Sequence, residues 1–429
     1  MAQPLSRAPS KDDKILIVGA GVFGLSTAFE LRTRGYENIT VLDRMMPPVP
    51  DGSSVDVSRV IRYDYADPFY GKLATEAMHE WTSDAWTGLY HGSGFVMSSQ
   101  TPNEPYIEKC KTVLKSQQQP FTSFENVSEL FLKYPALKGG LNQSSGYINT
   151  SGGWADAAGS IQRLAGRCSE LGVSFIVGPR GTVRRLRVDR SRVVGVETTT
   201  GSIDGTTVIL ATGAWTNKLT DVSAAMSSSG QPVGFIQLSP EESRSLSQMP
   251  VLIDLTSGCF VFPPTPDTHL LKIARHSHGF QAEHETKDGR IVSTPKLSNG
   301  ATSSFLPSDA DAGLREGLRF ILPQFANYPW KRRRLCWYTD TPEGNFVVDF
   351  HPKIDGLFIA AGGAGHAFKF LPVLGRHIAD CFENKASAET RTKWKLPAQL
   401  SASEPIVCND GSRRGPPRRK LSRSEQARL

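Results

Sequence analysis

The apolar positions of this chain fall into short runs separated by turn-rich polar stretches, not into long helical stripes. Ile15-Leu16-Ile17-Val18 is a continuous apolar run. A run of that length suits a strand buried on both faces of a parallel sheet. Leu25 to Arg32 then reads as a helix ending near Gly35, and Ile39 to Asp43 as a second strand with an acid at its tip. The pattern predicts helices from Asp67 to Trp86, from Trp154 to Leu171 and over 309–322. Strands are expected at Val173–Val177, Gly181–Val188, Val193–Thr199 and Thr206–Ala211, with strand-like pieces around Leu252, Phe260 and Leu271. Gly356 to Ala361 reads as a last buried strand leading into a helix near Pro372–Cys381. Residues 95–150 alternate short apolar runs with turns and give no distinct element. From about 385 the chain turns polar and basic, and 386–429 reads as a flexible, solvated tail.

The segment between the first strand and helix, Gly19-Ala20-Gly21-Val22-Phe23-Gly24, has the spacing of a dinucleotide-binding turn. GxGxxG alone is weak, but Asp43 follows Gly24 by 19 residues and the flanking strand and helix are in place. Gly19 permits the tight turn, Gly21 lets backbone approach a pyrophosphate, and Gly24 allows close helix–strand packing. Val22 and Phe23 are expected at the cofactor as part of this turn, and the N-terminus of the helix that follows would face the phosphates with free N–H groups. Asp43 would accept from the adenosine ribose, with Arg44 beside it.

Composition narrows the class. The chain has 429 residues, enough for two cores, and is 39% hydrophobic with no apolar run long enough to span a membrane. The first 14 residues are polar, which argues against secretion. Six scattered cysteines without a CxxC pair argue against zinc or a disulfide framework, and no metal is expected. Of the net charge of +7, six positive charges lie between Gly411 and Leu429, where seven basic residues face one acid. The remaining chain is near neutral, so no nucleic acid partner is implied.

Two later segments favour FAD over a nicotinamide. Thr207 to Ala211 ends in Thr212-Gly213-Ala214-Trp215, which resembles the second FAD-contacting turn of glutathione-reductase-like flavoproteins. Gly362-Gly363-Ala364-Gly365-His366 follows a buried strand and would aim Gly363, Gly365 and a helix N-terminus at a ligand. The fold class is therefore α/β (α+β), with an FAD-binding Rossmann-like parallel-sheet domain interleaved with an antiparallel-sheet substrate domain. The first would comprise 10–90, 145–220 and 336–385, the second 91–144 and 221–335.

These residues resemble the D-amino-acid-oxidase superfamily over about 14–385, and within it the monomeric sarcosine oxidase, pipecolate/saccharopine oxidase and fructosyl amino acid oxidase group. The resemblance implies a flavin joined through its 8α-methyl to the cysteine of Cys336-Trp337-Tyr338-Thr339-Asp340-Thr341-Pro342. It places Ser58 and Arg59 by the flavin, with Arg62 as a partner of the substrate carboxylate. Lys272 and His276 match the family's oxygen-activating lysine and site-lining histidine, and Lys369 its second carboxylate partner. Tyr338 joins Lys272, His276 and Arg59 as a catalytic residue. Ala367 stands where the family has glycine.

Arg62 with Lys369 implies a substrate carboxylate. Fructosyl amino acid oxidases carry an acid just before the histidine, whereas Arg275 precedes His276 here. The expectation is oxidation of an N-substituted or cyclic secondary amino acid by oxygen, giving an imine and hydrogen peroxide. An Amadori-product oxidase and a flavin oxidase of a secondary-metabolite pathway are the alternatives. A flavoprotein passing electrons to a partner protein is the reading from another class. The terminal Ala427-Arg428-Leu429 resembles a peroxisomal address read by an import receptor; without it a cytoplasmic location is expected. A monomer is expected.

Overall fold

Ile15–Val18 lies inside a six-stranded sheet ordered Val347–Phe350, Leu357–Ala361, Thr207–Leu210, Ile15–Val18, Ile39–Leu42, Ser174–Ile176. The structure, a computed structural model, describes residues 9–286, 288–297 and 303–429. All strand pairs of this sheet are parallel except Val347–Phe350 with Leu357–Ala361. Ile15 and Ile17 belong to one apolar cluster, and Leu16 and Val18 to another. Both faces of the strand are thus covered, the condition that demanded an unbroken apolar run.

The helix Val22–Thr33 covers one face together with Ala157–Glu170 and Leu374–Phe382. Two glycines allow the tight turn beneath it. Gly19 has φ +105°, and a Cβ there would lie 2.4 Å from the Ala211 carbonyl oxygen. A Cβ on Gly24 would lie 1.8 Å from the Gly19 oxygen, so the third glycine is needed for packing.

A ten-stranded sheet forms the second layer. Its centre pairs Ser227–Gln237 with Leu270–Arg275 on one side and Trp330–Asp340 on the other, both antiparallel. Phe95–Ser99 and Ser145–Asn149 belong to the same sheet. The boundary expected at 336 therefore falls within the strand Trp330–Asp340 of this sheet, and the one expected at 145 falls at the start of the strand Ser145–Asn149. A strand's partner, which the run of residues does not reveal, decides the layer it joins.

The helix expected from Asp67 to Trp86 runs Pro68–Trp81, capped by Asp67 Oδ1 accepting from Phe69 N at 2.9 Å, with a short turn at Asp84–Trp86. The segment expected to be helical from Trp154 begins as the strand Gly153–Ala155. After Gly365 the chain makes only a single 3-10 turn, Ala367–Phe370, before the helix at Leu374. No helix among the described residues is long and apolar enough to cross a membrane.

The expected solvated tail is folded onto the body. Trp394 is fully buried against Phe69 and Phe346, and Lys393 Nζ lies 2.6 Å from Asp67. Arg413 Nη2 lies 2.6 Å from Asp340, which also pairs with Arg418, and Arg414 pairs with Glu104. Arg419–Lys420 adds a short parallel strand beside Phe280–Gln281. The basic residues looked solvated because their counter-charges lie far away in sequence. Asp340, at 0% exposure, is the main one.

Candidate active site

One cavity runs from the glycine turn, between the two layers, to Lys369. Its lining includes Gly19, Gly21, Val22, Phe23, Asp43, Arg44 and Gly213 at one end, Arg59, Lys272 and Cys336 midway, and Arg62, His276, Tyr338, Gly363, Gly365 and Lys369 beyond. Gly24 and Ser58, also expected at the cofactor, do not line it.

At the glycine end, Asp43 accepts from Ala20 N at 2.7 Å and from Arg44 N at 2.6 Å. Burial pushes its carboxyl above the ordinary range. The Arg44 guanidinium pairs twice with Asp51 at 2.7 Å and lies 5.0 Å over the Trp215 ring. The N–H of Val22, a residue expected at the cofactor, donates to Ser54 Oγ at 2.9 Å. A Cβ on Gly213 would meet only Thr339 within 4 Å, so this turn leaves open space in the cavity wall. Main-chain turns bare of side chains, beside an acid and an arginine, suit the pyrophosphate and ribose of FAD.

Midway, a single carboxylate organises three cations. Asp56, wholly buried, lies 3.0 Å from Lys272 Nζ and 3.6 Å from Arg334, and pairs with Arg59. Burial alone would raise the Asp56 carboxyl, but Lys272, Arg59 and Arg334 outweigh it and hold it well below the carboxylate range. Lys272 Nζ also donates to the Ser58 carbonyl at 2.6 Å. Burial, opposed by Asp56, draws its ammonium down to about 7. Arg59 donates to Cys336 Sγ at 3.5 Å and to the Ser53 carbonyl at 2.8 Å. Ser58 thus meets Lys272 through its backbone carbonyl, while its buried hydroxyl has no hydrogen-bond partner among the described residues. Asp56 escaped the sequence reading, although an acid between Val55 and Val57 was a signal that it is buried and paired.

Beyond Cys336, two directed hydrogen-bond chains face each other. Lys369 Nζ donates to Tyr65 Oη at 2.9 Å and to the His366 carbonyl at 3.0 Å. His366 Nε2 lies 2.8 Å from the Gly344 carbonyl, which only accepts, so Nδ1 takes the Tyr65 hydroxyl proton at 3.0 Å. In the second chain Arg413, a pure donor, gives to His276 Nδ1 at 3.2 Å. His276 Nε2–H then donates to Ser412 Oγ at 2.9 Å, and Ser412 donates to Asp410. Burial, followed by Arg413, Arg62 and other nearby cations, keeps His276 neutral, far below its usual range. Burial and the neighbouring Arg62 lower Lys369 well below an ordinary lysine.

Arg62 Nη1 is buried with no hydrogen-bond partner among the described residues. Gly365, at φ +79°, is required by Tyr338, whose Cε2 would lie 2.3 Å from a Cβ there. Ala367 occupies its turn without a left-handed φ, so the missing glycine costs nothing. Arg275, expected to mark the substrate class, points away and donates to the Ser257 carbonyl at 2.8 Å. Asp410 reaches this part of the cavity, together with Asp67 and the exposed Glu343. Sequence reasoning missed Asp410, Ser412 and Arg413 because they were assigned to the tail.

A parallel sheet with a glycine turn, covered by an antiparallel sheet that brings a lysine and a cysteine over the cavity, defines a flavoprotein oxidoreductase. Residues 14–381 match the DAO family, FAD dependent oxidoreductase. The chain belongs to that family and is an FAD-dependent oxidoreductase. It is 33% identical over 415 residues to L-saccharopine oxidase of Schizosaccharomyces pombe, covering 91% of this chain and 94% of that one. It is 26% identical over 377 residues to peroxisomal sarcosine oxidase of Homo sapiens, covering 84% of this chain and 90% of that one. A modified fructosyl peptide oxidase from Aspergillus nidulans in complex with FSA superposes with TM-score 0.86 at 26% identity, covering 96% and 98% of the two chains.

Proposed function

We propose that the enzyme is an amine oxidase for an N-substituted or cyclic secondary amino acid of the sarcosine, pipecolate or saccharopine type. The observation that carries this reading is the buried Nη1 of Arg62, without a hydrogen-bond partner among the described residues, beside Lys369. A planar guanidinium with a second cation fits a substrate carboxylate and would fix which C–H bond faces the cofactor. FAD, when bound, accepts the hydride equivalent from the carbon beside nitrogen and returns electrons to oxygen. His276, held neutral with both ring nitrogens engaged by Arg413 and Ser412, would line the site and orient the amine. Lys272 would meet the negative charge that develops on oxygen, with Asp56 and the Ser58 carbonyl fixing its ammonium. Cys336 would carry the flavin through an 8α thioether, its sulfur held by Arg59.

The names of the relatives, saccharopine oxidase and sarcosine oxidase, support this substrate class. The fructosyl peptide oxidase likeness keeps an Amadori product as the second reading. A panel of sarcosine, pipecolate, N-alkylated and glycated amino acids, read by anaerobic flavin bleaching and then by peroxide, tests both. Bleaching only by glycated amino acids would replace the first reading with the second. Bleaching without peroxide would indicate electron transfer to a partner.

The proposed location is the peroxisome, with Ala427-Arg428-Leu429 read by an import receptor. Support comes from relatives named as peroxisomal sarcosine oxidases of human and mouse. The tripeptide lies against the body, with Arg428 4.2 Å over the Phe305 ring, so the receptor would compete with that contact. Deleting the three residues should leave a tagged protein outside peroxisomes; equal distribution of both forms would refute the address. The proposed state is a monomer, and light scattering of the purified holoenzyme decides it.

A further inference from the structure

We infer that Asp410 is a specificity-determining residue that selects amino acids whose N-substituent carries a second, cationic ammonium group. This rests on the amine-oxidase reading above and deepens it.

Asp410 lines the cavity at the end that holds Arg62, His276, His366 and Lys369. It lies on a strap fixed at several points. Asn409 N donates to the Pro342 carbonyl at 2.8 Å and Arg414 N to the His276 carbonyl at 3.1 Å. Arg413 and Arg418 hold Asp340, and Arg414 holds Glu104. These contacts tie the strap to both neighbouring walls, so the carboxylate is preorganised.

Of the other acids on the cavity wall at this end, Asp67 pairs with Lys393 and Glu343 is exposed and accepts from Asn345 at 3.1 Å, while three more lie off the wall. Asp340 takes two arginines and Asp56 a lysine and two arginines. Asp64 accepts from Asn149 at 2.7 Å. Asp410 accepts only from its own turn, from Ser412 N at 2.9 Å and Ser412 Oγ at 2.7 Å, and no cation lies within ion-pair distance among the described residues. One hydroxyl proton and one N–H leave lone pairs on both oxygens.

The walls therefore present two poles. Arg62 and Lys369 claim a carboxylate, and Asp410 claims a cation. A zwitterionic amine with a carboxylate on one side of the oxidisable nitrogen and an ammonium on the other satisfies both. An N-methyl amino acid satisfies only the first. The Ser412 bridge places His276 between the poles, where the reacting nitrogen would lie.

The test uses the FAD-loaded enzyme and a matched pair, an N-(ω-aminoalkyl)glycine and an N-alkylglycine of equal chain length. The wild type should prefer the ammonium-bearing member by at least about tenfold in kcat/KM, the usual scale for a charge-assisted hydrogen bond. Asp410→Asn should abolish the preference. Asp410→Lys should turn it toward an N-(ω-carboxyalkyl)glycine. Non-oxidisable thioether counterparts, titrated by their perturbation of flavin absorbance, should show the same order in binding, separating recognition from turnover. Equal kcat/KM for the pair in the wild type, or a preference surviving both substitutions, overturns the inference while leaving the amine-oxidase reading intact. If neither amine of the pair bleaches the flavin, nor any amine of the panel above, the amine-oxidase reading falls and this inference with it.

Discussion

Arg413 Nη2 and Asp340 Oδ1 lie 2.6 Å apart, both almost wholly buried, and join two segments separated by 73 residues. Asp340 ends the strand that carries Cys336, so the pair couples the C-terminal strap to the strand over the cofactor. Arg413→Ala would leave the buried carboxylate with Arg418 as its ion-pair partner and the Ser229 hydroxyl as a donor at 2.6 Å. It should cost about 3–5 kcal/mol of stability, as for breaking one side of a buried ion pair. Denaturant titration of the holoenzyme checks this, and a loss under about 1 kcal/mol would show that Arg418 suffices.

Cys336 Sγ lies under the Arg59 guanidinium, 3.5 Å away. If it bears the flavin, acid-precipitated wild-type protein keeps its yellow colour in the pellet. Cys336→Ser should release that colour to the supernatant. A colourless wild-type pellet would refute the linkage.

Lys272 should act in reoxidation alone. Lys272→Met is expected to keep anaerobic flavin reduction within about tenfold while slowing reaction with oxygen by roughly two to three orders of magnitude. The pH dependence has a definite sign. The ammonium is drawn down to about 7, so it is charged below that pH and loses its proton above it. Negative charge on the reduced cofactor would move the midpoint up. Reoxidation of the wild type should therefore fall as pH rises from about 7 toward the ordinary lysine range. Rapid mixing with oxygen across that range decides, and a rate that climbs with pH would exclude a cationic role.

Arg62→Ala or Lys369→Ala should weaken capture of carboxylated amines by about 2–5 kcal/mol, the cost of removing one partner of a desolvated charge pair. The readout is kcat/KM on an amino acid against the matching amine without a carboxylate. Equal losses on both would remove these residues from carboxylate recognition.

The nucleotide end of the cavity was legible because its signal is local: strand, glycine turn, helix and Asp43 lie within 30 residues. Cys336, Lys272 and Lys369 were legible through their short neighbouring motifs. Asp56 and Asp340 were not, because what matters about them is the distant cation each one meets. The strap was misread for the same reason. Net charge records how many arginines a segment holds, and the 0% exposure of Asp340 depends on where they go.

The strap also lies outside the stretch that the family match covers. The residues around the cofactor lie within 14–381, the part that matches the family, whereas Asp410, Ser412 and Arg413 come after it. Exchanging the strap between related enzymes is a graft that would alter their diet while leaving their colour unchanged.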